Sequence, residues 1–314
     1  MAGRARKGRG DAGQETTLVS FSGHESFTLR YGWPKKCVDA VAAQPDALSR
    51  DDAMVALGVG KNMVKSIRHW GLTARLVSPV DDAAGARRGD LRVTPLGAAL
   101  FGDDGADPYL EAAHPWLLHW LLCTSPGRAT TWAWAFGELD RRAFTRDELL
   151  RDLRAATVAG RATENTLGRD IDVFVRTYAP SKVERGAVED SLDGPLVELR
   201  LLREEPAERR YEFVRGPKPT LDDVVFGYAV LDYWGRVAPE LDTLSVDALA
   251  RGRGSPGRVF QLDDGSLSER LEACARWSRG ALLHDETAGL RQLLRKRRVD
   301  PARWLIDELQ RTRS

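Results

Sequence analysis

The sequence predicts a mainly α chain with small β-hairpins, an α+β fold of tandem winged-helix (helix-turn-helix) units joined by helical linkers. Three observations predict it. A short helix, a Gly58-Val59-Gly60 turn and a second, amphipathic helix follow one another over 51–70. A strand, a loop and a returning strand come directly after them. The same helix, helix, hairpin order then recurs over 144–214.

The first unit turns on how Gly58-Val59-Gly60-Lys61 is read. A phosphate loop needs G-x-x-x-x-G-K-[ST]. Val55 stands where the first Gly belongs and Asn62 where the magnesium-binding hydroxyl belongs. The residues before the turn also read as helix rather than strand, so the nucleotide reading fails. As a helix-turn-helix the segment is consistent: Asp51–Leu57, the glycine turn, then Lys61–Trp70. Met63, Ile67 and Trp70 fall at i, i+4, i+7 and make one apolar face. Lys61, Lys65 and Arg68 repeat that spacing on another face, with Asn62, Ser66 and His69 beside them. Such a face suits a DNA major groove, with charge for phosphates and forked donors for base edges. It also suits a solvated basic face on a packing helix. Arg75–Pro79 and Leu91–Thr94 have strand character, and Pro95 opens a further helix. The loop between them carries Arg87 and Arg88 at the tip of the expected wing, within reach of phosphate or minor groove.

The second unit begins at Phe144–Ala156, where Thr145 and Glu148 form a capping-box pattern. After a Gly160-Arg161 turn, Leu167, Ile171, Phe174 and Tyr178 line one helical face, with Asn165, Arg169, Asp172 and Arg176 opposite. Arg169 and Arg176 are candidate DNA contacts. Strands are expected over Leu196–Leu202 and Arg210–Val214, joined by an acidic turn. A fainter third unit has short helices at Ser245–Ala250, Ser255–Leu262 and Leu267–Trp277 and a strand start at Ala281–His284. Helix is expected from Leu290 onward, with Arg291, Arg295, Lys296, Arg297 and Arg298 as a second basic cluster. The expected organisation is a flexible basic tail over 1–17 and an N-terminal winged-helix domain with a His-Glu motif over 18–105. A helical linker plus second winged-helix-like unit covers 106–220, and a C-terminal helical unit covers 221–314.

The 314 residues are enough for two or three compact domains. A net charge of +1 excludes a uniformly basic coat, so a nucleic-acid surface must come from segregating charge. Cys37, Cys123 and Cys274 form no C-x-x-C pair, which argues against a zinc ribbon or disulfide scaffold and fits a cytoplasmic protein. The Arg-rich start has no apolar run behind it and is no signal peptide, and no apolar run reaches membrane length. Trp116, Trp120, Trp132, Trp134 and Phe136 read as core in preference to base-stacking groups.

The chemistry-bearing stretch is Phe21-Ser-Gly-His-Glu-Ser-Phe-Thr-Leu-Arg-Tyr-Gly-Trp-Pro-Lys-Lys36. Thr28 stands where a zinc-protease H-E-x-x-H needs its second His. His24 beside Glu25 can supply a general base, or a metal ligand with a carboxylate behind it. It can equally be a hydrogen-bonded structural residue. Asp51, Asp52, Asp222 and Asp223 sit at helix starts, where capping explains them. Asp170 and Asp172 lie two apart on a helix and diverge. Asp193, Glu198 and Arg200 only faintly match a nuclease carboxylate pattern.

The 21–36 run, the Leu57–Trp70 segment and Arg169-Asp-Ile-Asp-Val-Phe-Val-Arg-Thr-Tyr178 resemble a bacterial domain-of-unknown-function family of DNA phosphorothioation systems. The resemblance spans most of the chain, and its two N-terminal motifs are its specific part. It implies DNA strand nicking in a modification and antiphage defence system. The implied partners are double-stranded DNA, a sulfur-transfer reductase-like protein and an ATPase. On this reading His24 and Glu25 are the leading catalytic candidates, as base or metal-side ligand, with magnesium or manganese as an open cofactor. Arg30, Lys35 and Lys36 would stabilise the charged transition state. Lys61, Asn62, Lys65, Arg68 and His69 would place the strand. A non-catalytic winged-helix DNA-binding adaptor or regulator is the alternative class, and oligomeric state is left open.

Overall fold

A computed structural model describes residues 20–80, 87, 89–102, 113–157, 162–179, 194–287 and 289–311. The basic tail over 1–17, wing residues 81–86, Arg88, the Gly160-Arg161 turn and Asp193 lie outside the described residues.

Helix α1 (Trp33–Ala43) carries Pro34 in its first turn, where a missing N–H costs nothing, and buries Trp33, Cys37, Val38 and Val41. The short α2 (Ala53–Leu57) stops at Gly58, whose φ of +63° is one that a side chain would resist. Helix α3 (Lys61–Thr73) buries Val64, Ile67 and Trp70, with Met63 half-buried at the core's edge. Strands β1 (Val77–Pro79) and β2 (Leu91–Val93) form an antiparallel hairpin, and the Leu91 N–H donates to Pro45 O at 2.9 Å. Thr94 caps α4 (Pro95–Phe101).

Helix α5 (Ala113–Cys123) is apolar all round and runs through the core, with Trp116, Leu117, Trp120 and Leu121 all at 1% exposure or less. Helix α6 (Thr130–Gly137) follows and buries Trp132 and Phe136. The tryptophans at 116, 120 and 132 are therefore core residues.

Strand β3 (Ala143–Thr145) leads into α7 (Arg146–Ala156), which starts on the Thr145–Glu148 capping box. Helix α8 (Glu164–Tyr178) buries Leu167, Ile171, Phe174 and Tyr178. The expected strand over Leu196–Leu202 is corrected here. Pro195–Leu199 is a 3-10 turn, and strand β4 (Leu202–Glu205) starts only after it. Three residues per turn place Leu196 and Leu199 on one side, and both are buried. Strand β5 (Arg210–Phe213) pairs with both β3 and β4.

Helix α9 (Asp223–Val237) is followed by β6 (Thr243–Ser245), α10 (Val246–Arg251), α11 (Pro256–Val259), α12 (Asp264–Glu272) and α13 (Cys274–Trp277). The chain closes with β7 (Leu282–Thr287), β8 (Leu290–Arg295) and α14 (Pro301–Arg311). Strand β8 corrects the helix expected from Leu290. Leu293 is fully buried opposite Leu244 and His284, while Leu290 is 70% exposed. Pairing on both sides outweighs the helical spacing of the leucines. The basic cluster there divides as well. Arg295 is inward, donating to Pro239 O and Leu241 O at 2.9 and 2.7 Å and lying over the Trp234 ring.

The two three-stranded sheets have the orders β3-β5-β4 and β6-β8-β7. In each, the strand latest in sequence sits in the middle, so a short strand before a helical segment is locked by the hairpin after it. One continuous buried cluster runs from Leu29 to Leu309. Among the described residues no helix is long and apolar enough to cross a membrane.

Candidate nucleic-acid interface

The segment from Ser22 to Ser26 is a tight turn wedged between α3 and α8. Ser22, Glu25 and Ser26 all have positive φ, at 62°, 48° and 72°. Such backbone costs energy for residues other than glycine and persists only where surrounding contacts hold it. From α3, the Ser66 hydroxyl donates to His24 O at 3.0 Å, and Lys65 Nζ reaches Glu25 Oε1 at 3.1 Å. From α8, Asp170 accepts from Ser22 N and from His24 Nε2, both at 2.7 Å, and from the Thr131 hydroxyl at 2.5 Å. Arg176 Nη2 donates to Ser26 O at 2.9 Å.

His24 itself is 2% exposed. The Ser26 N–H donates to its Nδ1 at 3.2 Å, which leaves Nε2 to carry the proton given to Asp170. Its ring lies nearly parallel to Trp70, at 5.9 Å and 14°, and meets Trp132 and His69 edge-on. Both ring nitrogens are thus engaged. Glu25 is the outward member of the pair, with its side chain 34% exposed beside Lys65.

The other residues expected in the chemistry have partners of their own. Arg30 lies over the rings of Phe27 and Trp33, at 5.7 and 5.4 Å. Lys35 pairs with Asp39 one turn along α1, and Lys36 donates to Leu57 O at 2.7 Å, closing the end of α2.

The residues expected to contact DNA fall into an outward and an inward group. Lys61, Asn62 and Lys65 are exposed on α3, and Arg68 is half-buried further along it. Arg169 and Arg176, seven residues apart on α8, are exposed on its solvent side. Asp172 between them is taken by Arg146, at 2.6 Å. His69 turns inward. Its ring packs against Gly23 so closely that a Cβ there would meet Nδ1 at 2.4 Å. Burial pushes its pKa down to about 3, helped by the neighbouring His24 and Arg128. Arg87 is exposed in the first hairpin's loop.

The arrangement therefore brings two helices with outward cations to either side of one strained turn. Asp170, set aside in the sequence as half of a diverging pair with Asp172, is the partner that holds the turn. Its signal is visible in retrospect: with Leu167, Ile171 and Phe174 it completes an i, i+3, i+4, i+7 stripe, so an acid sits on a buried face and needs donors. Among the described residues no three His, Cys, Asp or Glu side chains come together as a metal site. Asp170 already has both oxygens bonded and Glu25 is paired with Lys65, so these residues form no dedicated magnesium cage.

The family described as "Protein of unknown function (DUF4007)" matches residues 21–309. A magnesium-ion-bound SspB crystal structure is similar to this chain with a TM-score of 0.82 and 33% identity, covering 93% of this chain and 87% of that one. A second SspB crystal structure gives 0.81 and 32% with the same coverage. No curated protein matches the chain.

Proposed function

We propose, on the premise that this chain belongs to the DUF4007 family, that it binds double-stranded DNA and nicks it within an Ssp-type phosphorothioation and antiphage defence system. One observation carries the reading. The His24–Glu25 turn is clamped between two helices whose outer faces present Lys61, Lys65 and Arg68 on one side and Arg169 and Arg176 on the other. A backbone lying along that seam meets cations on both flanks and Glu25 between them.

The helices take the places of recognition helices. In this reading 18–105 is a winged-helix domain, 106–220 a helical linker plus a second winged-helix-like unit, and 221–314 a C-terminal helical unit of the same winged-helix-like kind. The sheet orders β3-β5-β4 and β6-β8-β7 and the Leu91–Pro45 bond, which stands for the missing first strand, support that. Within the site the roles divide by exposure. Glu25, on the surface, activates the attacking water as general base. His24 positions it, since its ring holds the turn and both its nitrogens are bonded. Lys65 and Arg68 steady the charge that develops on the phosphate. A sulfur-transfer reductase-like protein and an ATPase are the proposed partners. The phosphorothioation role also draws on the similarity to the SspB structures.

Plasmid relaxation by the purified protein, with and without magnesium or manganese, tests the reading. The expected result is an open-circular product without linear DNA. Supercoiled plasmid that persists while the protein binds DNA would favour the second reading, a non-catalytic DNA-binding adaptor. The engagement of both His24 nitrogens is the observation that favours that second reading.

A further inference from the structure

We infer that Arg68 and Arg128, on the two segments that meet around His69, form an oxyanion subsite that takes one backbone phosphate of the bound strand. The identity of the ligand as DNA rests on the function proposed above. The chemistry of this corner, a preference for a phosphate oxygen, does not.

Four observations converge on this corner. First, the Ser125 hydroxyl donates to Thr73 O at 3.0 Å, fastening the loop before α6 to the end of α3. That bond, with His69 and Trp132 both meeting the His24 ring, brings the loop that carries Arg128 beside the end of α3. Burial, and then the charge of Arg68, hold Arg128 below its ordinary pKa. Second, among the described residues neither Arg68 nor Arg128 forms an ion pair, whereas Arg146, Arg258 and Arg279 each hold a carboxylate. Two neighbouring cations without an acid between them are matched by an anion. Third, α6 begins two residues after Arg128, and its N-cap Ala129 provides no side-chain acceptor. The first N–H groups of a helix favour negative charge.

The fourth observation is the floor. Ser22 Oγ, His69 Nε2 and Trp132 Nε1 are buried and have no hydrogen-bond partner. The rings of His69 and Trp132 meet the His24 ring at 5.9 and 5.8 Å, and the Ser22 N–H shares the Asp170 carboxylate with it. Hydroxyl and indole N–H are donors, and the imidazole can be one. Their common need is an acceptor. A phosphate oxygen is only an acceptor, and buried donors left without one are costly.

Duplex binding by fluorescence anisotropy across a KCl series tests this, with wild type, Arg68→Gln, Arg128→Gln, the double variant and Arg128→Lys. Each Gln variant should flatten the slope of log affinity against log salt by about 0.9, the double by about 1.8, while Arg128→Lys keeps the wild-type slope. Inorganic phosphate at matched ionic strength should compete with wild-type binding and leave the double variant's binding unaffected. A double variant with the wild-type slope would overturn the subsite while leaving the DNA reading intact. If wild type binds no duplex, the DNA reading fails and phosphate alone decides. A melting temperature raised by phosphate in wild type and not in the double variant supports the subsite, and no rise in wild type overturns it.

Discussion

His24 and Asp170 lie 146 residues apart in the chain and meet at 2.7 Å, Nε2 to Oδ1, with both side chains 2% exposed. This one contact joins the motif turn to α8, and Ser22 N and the Thr131 hydroxyl share the same carboxylate. A buried acid with three donors is worth more as a hub than any one of its bonds, because removing it strands all of them at once.

Asp170→Ala should therefore destabilise the whole protein. Each stranded donor costs about 1–3 kcal/mol, so a total of about 3 kcal/mol or more is expected. For a chain of this size that lowers the melting temperature by roughly 4–5 °C or more. Differential scanning calorimetry checks it, and an unchanged melting temperature would show that the hub is not made in solution.

Stability should fall on acidification through the buried imidazoles. His119 is fully buried, bonded to Tyr178 OH and Val259 O at 2.8 Å each, and burial pushes its pKa from 6.5 down to about 4. Between those values the unfolded chain binds more protons than the folded one. The stabilisation is therefore complete above pH 6.5 and is lost as pH falls toward 4. His69 acts with the same sign down to about 3. Each contributes up to about 1.4 kcal/mol per pH unit within its window. Urea unfolding at pH 7 and pH 5 should show a lower midpoint at pH 5. Equal midpoints would count against neutral buried histidines.

If both helices face one duplex, charge removed from either should flatten the salt dependence. Lys61→Ala on α3 and Arg169→Ala on α8 should each reduce the slope by about 0.9, and together by about 1.8. Anisotropy titrations across salt read this directly. A change with one variant only would show that a single helix meets DNA.

Glu25 is the exposed carboxylate of the turn, and its loss should separate cutting from binding. Glu25→Gln should lower plasmid nicking by about 100-fold or more, within the range for a general base. Duplex affinity should stay near wild type or rise slightly, because Lys65 is released from its pair. Nicking at the wild-type rate would move the base to another residue.

Local features of the fold were legible in the chain. The Gly58 turn, the Thr145–Glu148 capping box, the Pro95 helix start and the apolar stripe of α8 depend on neighbours a few residues away, and each sits where the spacing put it. The resemblance carried by 21–36 and 57–70 agrees with the family match over 21–309. The strand assignments fared less well. Strands β3 and β6 are three residues long and exist because β5 and β8 pair with them, so nothing local announces them. The leucines of β8 read as helix until partners on both sides are present.

The site divides along the same line. The sequence alone named the candidate residues: the His24–Glu25 motif, Lys61, Lys65 and Arg68 on one helix, and the pair Arg169 and Arg176 on another. Only the tertiary structure decided which of them face solvent. It buried His24 against Trp70 and Asp170, turned His69 toward Gly23, left Glu25 outside, and brought Arg128 from a loop that no motif marks. The physical reason is range. Helical periodicity and capping act over three or four residues, whereas a buried donor finds its acceptor, and a cation its free surface, only when distant segments have packed.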